Sequence, residues 1–475
     1  MHWPSVTWAM VVKRDTPETP SMHIAPSVND RHATLDAMRG FAVLGILLTN
    51  IFIFALPYHA LDLPEIWGEK TGANLVTWNI VIIFVDGVMR AILSVVFGAS
   101  ALIVMSRANR GDAGDALGVL DMFFRRLLCL IAFGLVHAYI LLWPHDILFL
   151  YGLFGLFLFP FRALSARKMT IIAVMLLIAS SWFGAQGASP IKDAVLDSIP
   201  AFENVEPSII DSMPPLADMM PEFNTEEEPN ANLDAGDTFA QAMSVIIEEI
   251  DEEIAIRQSG YLINLAATVG VSFDEQTAEV FRHHFLDIFP VMLLGMALFK
   301  SGFLTAEWPT RRYIQITMIG YTMGTIIGMA TFLPISAPDW AHMTAIMLLE
   351  YGYELRRMSF AIGHMALLIV LLRKDWLTFL TRRLRDCGRL ALTLYIGQTL
   401  LCLLLFYGVG IGLFGTMEHI DVLMIAIALI IAQLVIAGPV LRIIKSGPLE
   451  ALLRALSGSA HIPASHRIPQ KHTGP

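Results

Sequence analysis

Apolar positions in this chain fall into long blocks near 37–57, 74–105, 125–142, 147–162, 168–186, 285–300, 312–334, 356–372, 389–408 and 421–444, separated by polar connections. As a helix, about 20 apolar residues cross roughly 30 Å of hydrocarbon at about 1.5 Å per residue. In lipid only helices and closed barrels satisfy their own backbone. The pattern therefore predicts an all-α fold, a polytopic membrane helix bundle of about ten transmembrane helices.

The blocks also suggest an order of regions. Residues 1–31, with Pro4, Pro17, Pro20 and Pro26, read as a disordered tail without a cleaved signal. Residues 32–186 hold helices one to five, 187–283 form an acidic extracytoplasmic segment, 284–458 hold helices six to ten, and 459–475 are a second tail. Within the acidic segment, 238–258 (TFAQAMSVIIEEIDEEIAIRQ) places Met243, Ile246, Ile247, Ile250 and Ile254 at helical spacing between acids. This predicts an amphipathic helix lying over the outer face.

Charge gives the expected orientation. Arg107, Arg110, Arg125 and Arg126 join spans two and three, Arg162, Arg167 and Lys168 join four and five, and Lys300, Arg311 and Arg312 join six and seven. Arg373, Lys374, Arg382, Arg383 and Arg385 join eight and nine. Alternate loops are thus basic, which places them and both termini in the cytoplasm of a multi-pass plasma-membrane protein.

Composition agrees with the apolar blocks: 55% of the 475 residues are hydrophobic and 16% charged, with a mean hydropathy of +0.61. The formal charge of −10 is local, since residues 187–283 carry 20 acids against 3 Lys and Arg. It gives no sign of nucleic-acid binding. Cys129, Cys387 and Cys402 have no metal-like spacing, and neither HExxH, CxxC nor a Walker loop occurs. No metal and no bound cofactor is expected.

Candidate chemistry lies in polar residues within the spans. Arg39 and Asn50, eleven residues apart, fall within roughly 20° of one helix face and about 16 Å apart in height. A snorkelling anchor and an interhelical hydrogen bond are their plain structural alternatives. Asp86 and Arg90 stand at i, i+4, the spacing of an ion pair on one helix face or of a polar cavity lining. His137 lies six residues before Trp143-Pro144, about 9 Å below the outer helix end, and Asp146 follows that turn as an N-cap. Asp146 at the mouth of a helical hairpin would orient or charge-stabilise the His137 imidazole as a general base, the plain alternative being that His137 is a satisfied interhelical hydrogen-bond donor. His283, His284 and Asp287, with Glu354, Arg356 and Arg357, form a weaker set at the outer ends of spans six and eight.

Six ordered blocks carry a resemblance: LDAMRGFAVLGILLTNIFIF, FVDGVMRAILSVVFGAS, RRLLCLIAFGLVHAYILLWPHDILFLYGLFG, MLLGMALFKSGFLT, GRLALTLYIGQTLLCLLLFYGVGIGLFG and SGPLEALLRALSG. Over most of 32–458 the chain resembles the YeiB-like bacterial membrane proteins, domain of unknown function 418. Leu394 departs from the usual Asn of its block, whereas Gln398 is kept. More distantly, the LDxxRG start, with Arg39 and Asn50, resembles multi-spanning acyltransferases such as heparan-glucosaminide acetyltransferase. That resemblance implies transfer of an acyl group from acyl-CoA, as donor substrate, to a small-molecule, lipid or glycan acceptor at the bacterial inner membrane. The expected catalytic set is His137, Asp146 and Arg90, and the expected substrate-binding set is Arg39, Asn50, Asp86 and Gln398. A transporter or flippase for a small organic acid or lipid-linked molecule, and a non-catalytic scaffold, are the alternatives.

Overall fold

The computed structural model describes residues 28–62, 67, 72–108, 113–186, 235–332 and 340–458. Residues 1–27 and 459–475 of the expected tails, residues 187–234 of the expected acidic segment, and Arg110 lie outside the described residues. The described chain is helical, with no strand among its elements. The first helix, α1 (Val28–Ala55), begins within the stretch expected to be tail. The remaining early helices are α2 (Ala73–Phe84), α3 (Val88–Ala108), α4 (Ala113–Tyr139), α5 (Ile147–Phe157) and α6 (Ala166–Gln186). Then come α7 (Ala235–Arg257), α8 (Tyr261–Gln276), α9 (Phe285–Lys300), α10 (Thr310–Phe332) and α11 (Trp340–Arg373). The last four are α12 (Thr378–Arg389), α13 (Ala391–Phe406), α14 (His419–Ile444) and α15 (Pro448–Leu456).

Among the described residues, six helical stretches are long and apolar enough to cross a membrane: Ala33–Ala55, Ala73–Arg107, Ala166–Phe183, Val280–Lys300, Gly352–Arg373 and His419–Ile444. They match predicted spans one, two, five, six, eight and ten, and the protein is a multi-pass membrane protein. Span nine, expected over 389–408, is α13, and the basic loop expected before it holds α12, which meets α13 at a bend of 84°. Span four ends early: α5 has 11 residues, about 16 Å, and gives way at Phe159–Ala163 to a 3-10 turn containing Pro160.

The core is built around α1, which packs on α3, α11, α12, α13 and α14. Two crossings are close because glycines meet there. A Cβ on Gly98 in α3 would collide with the carbonyl of Met292 in α9, and one on Gly295 in α9 with that of Val95 in α3. Gly40 in α1 and Gly388 in α12 are related in the same reciprocal way, through the carbonyls of Leu384 and Asp36. In lipid, where tails are as apolar as leucine, close packing of small residues is what draws helices together. The helix expected over 238–258 is present as α7. Its Ile246 and Ile250 are buried, while Glu249 binds His59 at 2.7 Å and Glu253 accepts from the Tyr58 amide at 2.8 Å.

Candidate functional site

The site starts from a break in a helix. Span two is not one rod: α2 stops at Phe84 and α3 starts at Val88, with Gly87 at a φ of 70° between them. Glycine takes that left-handed backbone without a Cβ penalty. Because Asp86 sits in the turn, it does not share a helix face with Arg90. The i, i+4 ion pair, one of the two readings of their spacing, is therefore replaced by cross-helix partners.

Those partners come from α9 and α11. The Arg90 Nε lies 3.1 Å from Asp287 Oδ2, and its Nη2 donates to the Tyr353 hydroxyl at 3.1 Å. Arg357 grips Glu354 with two bonds, Nε to Oε2 at 2.6 Å and Nη2 to Oε1 at 2.9 Å, and also donates to the Asp287 carboxylate and, at 2.8 Å, to its carbonyl. The Ser180 hydroxyl of α6 donates to Glu354 at 3.0 Å. Arg356 lies 3.6 Å from Asp86 and donates to the carbonyls of Ile82 and, at 2.6 Å, Ile83. These are among the last carbonyls of α2, left without helical donors by the break, and a cation suits that end of the helix dipole. Three guanidinium groups thus face three carboxylates. An unpaired charge costs at least about 2.5–3.5 kcal/mol at mid-membrane, so neutrality is the condition for keeping the network there.

The network borders a cavity of about 170 Å³. Asn50 of α1, Asp86 and Gly87 of the break, Arg90 of α3, His145 and Asp146 of the α4–α5 turn, Glu275 of α8 and His284 all line it. Glu275 bridges two imidazoles, 3.4 Å from His145 Nδ1 and 2.5 Å from His284 Nε2. Burial pushes its carboxyl up, but hydrogen bonds and charge from the two histidines outweigh burial and hold it well below the usual carboxylate range.

Asp146 has two tasks at once. Its Oδ2 caps α5 by accepting from the Phe149 amide at 2.7 Å, and its Oδ1 is 2.6 Å from His137 Nδ1. His137 is fully buried, and its Nε2 lies 2.8 Å from Thr399 of α13, so both ring nitrogens are held by protein. Since α4 ends at Tyr139, His137 occupies the last turn of its helix rather than a position about 9 Å lower.

Of the residues expected from sequence, Asn50, Asp86, Arg90 and Asp146 meet in the cavity, with His137 one bond behind Asp146. Arg39 and Gln398 lie elsewhere. Arg39 is 2.7 Å from Asp36 and donates to Ser100 at 3.3 Å and the Gly388 carbonyl at 3.5 Å, tying α1 to α3 and α12 at a glycine crossing. Gln398 donates to the Val43 carbonyl at 3.2 Å and to Gln433 at 2.9 Å, joining α13 to α1 and α14. Sequence reasoning missed Glu275, Tyr353 and Thr399. Glu275 is one acid among many in its segment, and the other two carry no charge to draw attention in an apolar run. Among the described residues no group of three or more His, Cys, Asp or Glu could hold a metal ion.

Residues 298–459 match the family model described as Protein of unknown function (DUF418). The chain is 26% identical over 437 residues to the uncharacterized protein YeiB of Escherichia coli (strain K12), covering 92% of this chain and 98% of that one. It is 25% identical over 445 residues to the uncharacterized protein YxaH of Bacillus subtilis (strain 168), covering 90% and 94%. A shorter similarity, 31% over 166 residues, covers 35% of this chain and 44% of an uncharacterized 39.9 kDa protein from the amylase 3' region of Bacillus acidopullulyticus. No solved structure matches the chain.

Proposed function

The chain belongs to the YeiB-like DUF418 family, and we propose that it is a bacterial inner-membrane acyltransferase with about ten crossings and both termini in the cytoplasm. The observation that supports this reading is the convergence of Asn50, Arg90, His145, Glu275 and His284 on one cavity. Acyl transfer needs a base for the acceptor and a cation or donor for the developing oxyanion. Each histidine meets Glu275 through one ring nitrogen, Nδ1 of His145 and Nε2 of His284, which turns its other nitrogen to the task of a base. Arg90 gives Nη2 to Tyr353, while its Nε, 3.1 Å from Asp287 in an ion pair, is not aligned as a hydrogen bond, so the guanidinium keeps donor capacity for a developing negative charge.

In this scheme one of the two imidazoles takes the proton of an acceptor hydroxyl or amine as that oxygen or nitrogen attacks the thioester carbonyl of acyl-CoA. Arg90 balances the oxyanion. The carbon–sulfur bond then breaks, and the CoA thiolate leaves with the proton from the imidazolium. His137 acts here as a positioning residue: it holds Asp146, and through it the α4–α5 turn that presents His145.

A transporter reading is favoured by one different observation, the broken helix whose freed carbonyls face Arg356, because discontinuous helices mark substrate paths in many carriers. Proteoliposomes supplied with labelled acyl-CoA decide between the two. Label should pass to a lipid or glycan acceptor with the native chain and fall by about 10²-fold or more with His145→Ala/His284→Ala, at an unchanged melting temperature. Solute flux that needs no acyl donor, without any acyl product, would sink the enzyme reading.

A further inference from the structure

A second cavity, of about 270 Å³, lies between α12 and α14. Its α12 wall is at the far end of the bundle from the first: Gly388 meets Asp36 and Gly40 near the start of α1, whereas the first cavity is lined by Ile46 to Ile53. Arg382, Arg383, Arg389 and Arg442 line it, against one acid, Asp386. Among the described residues none of the four guanidinium groups forms an ion pair, unlike Arg90, Arg356 and Arg357. Arg389 donates only to the Lys445 carbonyl, at 3.2 Å. The space for Arg383 depends on a glycine, since a Cβ on Gly438 would collide with its guanidinium and lie 3.1 Å from Asp386 Oδ2.

Four like charges gathered around a single carboxylate leave a surplus that is self-repelling, and an anion placed among them removes that cost. The planar fork of arginine matches phosphate oxygens in pairs. Apolar side chains adjoin the cluster in the open: Trp376 is 60% exposed, Phe379 69% and Ile443 81%. The basic helix α12 meets α13 at a bend of 84°. Charge beside exposed apolar side chains on an amphipathic helix is the arrangement of an element seated at a membrane surface.

We infer that this cavity binds a phosphate group, and that its occupant is the headgroup of an anionic phospholipid whose acyl chains lie along Phe379 and Ile443. Basic pockets between membrane helices hold such headgroups, with the attraction set by each arginine near the surface. The inference does not rest on the acyl-transfer reading.

Native mass spectrometry of the full chain released from bilayers of phosphatidylcholine and phosphatidylglycerol tests it. The native chain should retain phosphatidylglycerol preferentially. Arg383→Gln/Arg442→Gln should weaken that preference by about 25-fold, roughly fivefold for each arginine removed, while Arg311→Gln/Arg312→Gln, with the same charge loss outside the cavity, should leave it unchanged. If the double variant does not fold, the exposed Arg382→Gln serves with the same readout and about a fivefold loss. Absence of preference in the native chain, or equal loss in the control, overturns the site. Cavity-dependent binding of inorganic pyrophosphate without preference for phosphatidylglycerol overturns the lipid assignment.

Discussion

The two ends of this bundle treat arginine in opposite ways. Around the first cavity, Arg90, Arg356 and Arg357 are each paired with Asp287, Asp86 or Glu354, and two of them also bind backbone carbonyls. At the second cavity, Arg382, Arg383, Arg389 and Arg442 collect beside one another with no ion pair among the described residues. Burial accounts for the difference at Arg356 and Arg357, whereas Arg90 is part-exposed toward the cavity it lines. Arg356 and Arg357 are 3% and 1% exposed, so their charge must be matched within the protein, whereas Arg382, Arg389 and Arg442 are exposed and reach water or a headgroup. Internal neutrality thus marks the site where protein alone sets the charges, and surplus charge marks the face completed by something else.

Removing a central acid breaks this comparison most severely. Asp287→Ala leaves Arg90 and Arg357 facing each other and is expected to cost about 3–5 kcal/mol, read as a large drop in melting temperature in detergent. If Asp287→Ala melts like the native chain, the network is not a buried unit. A smaller effect is expected from Glu275→Gln, about 1.5–3 kcal/mol, because the two imidazoles lose a charged acceptor. Hydrogen exchange of α8 amides should show this as faster local opening at neutral pH. The sign of the pH dependence follows from the depressed carboxyl. Its stabilisation is fully present above the ordinary Glu value of about 4.3 and fades only as pH falls through the lower folded value, so native α8 should keep its protection at pH 5. Loss of protection already between pH 7 and 5 would contradict the bridge. The smallest effect belongs to the basic end: Arg389→Gln should shift stability by less than about 0.5 kcal/mol, and a larger loss would mean that its charge is matched inside the fold.

Much of the helical plan was legible from the chain, and the site only in part. Apolar blocks were enough to find six spanning helices and α7, because a block of the right length has one stable form in lipid. The break at Gly87 was not, since one glycine in an apolar run is compatible with a continuous helix. With the break, Asp86 and Arg90 line one cavity, the second reading of their spacing, and take their ion pairs from other helices. Asp146 was legible as a cap, because capping is local, but its second bond to His137 joins two helices and could only be guessed. Arg39 and Asn50 shared a face as expected, yet the face meets α12 at one level and the cavity at another. Position on a helix does not say which neighbour stands opposite.

By itself the sequence determined the solvent and the secondary structure: apolar length dictates helices in lipid, and the glycines at 40, 98, 295 and 388 permit the close crossings. Tertiary structure alone decided which charges meet. Asp287, Glu354, Arg357 and Arg90 come from three separate helices, and Glu275 reaches His145 and His284 from a fourth. An ion pair in lipid depends on a few ångströms across a helix interface, and that distance is set by packing, which no local stretch of sequence contains.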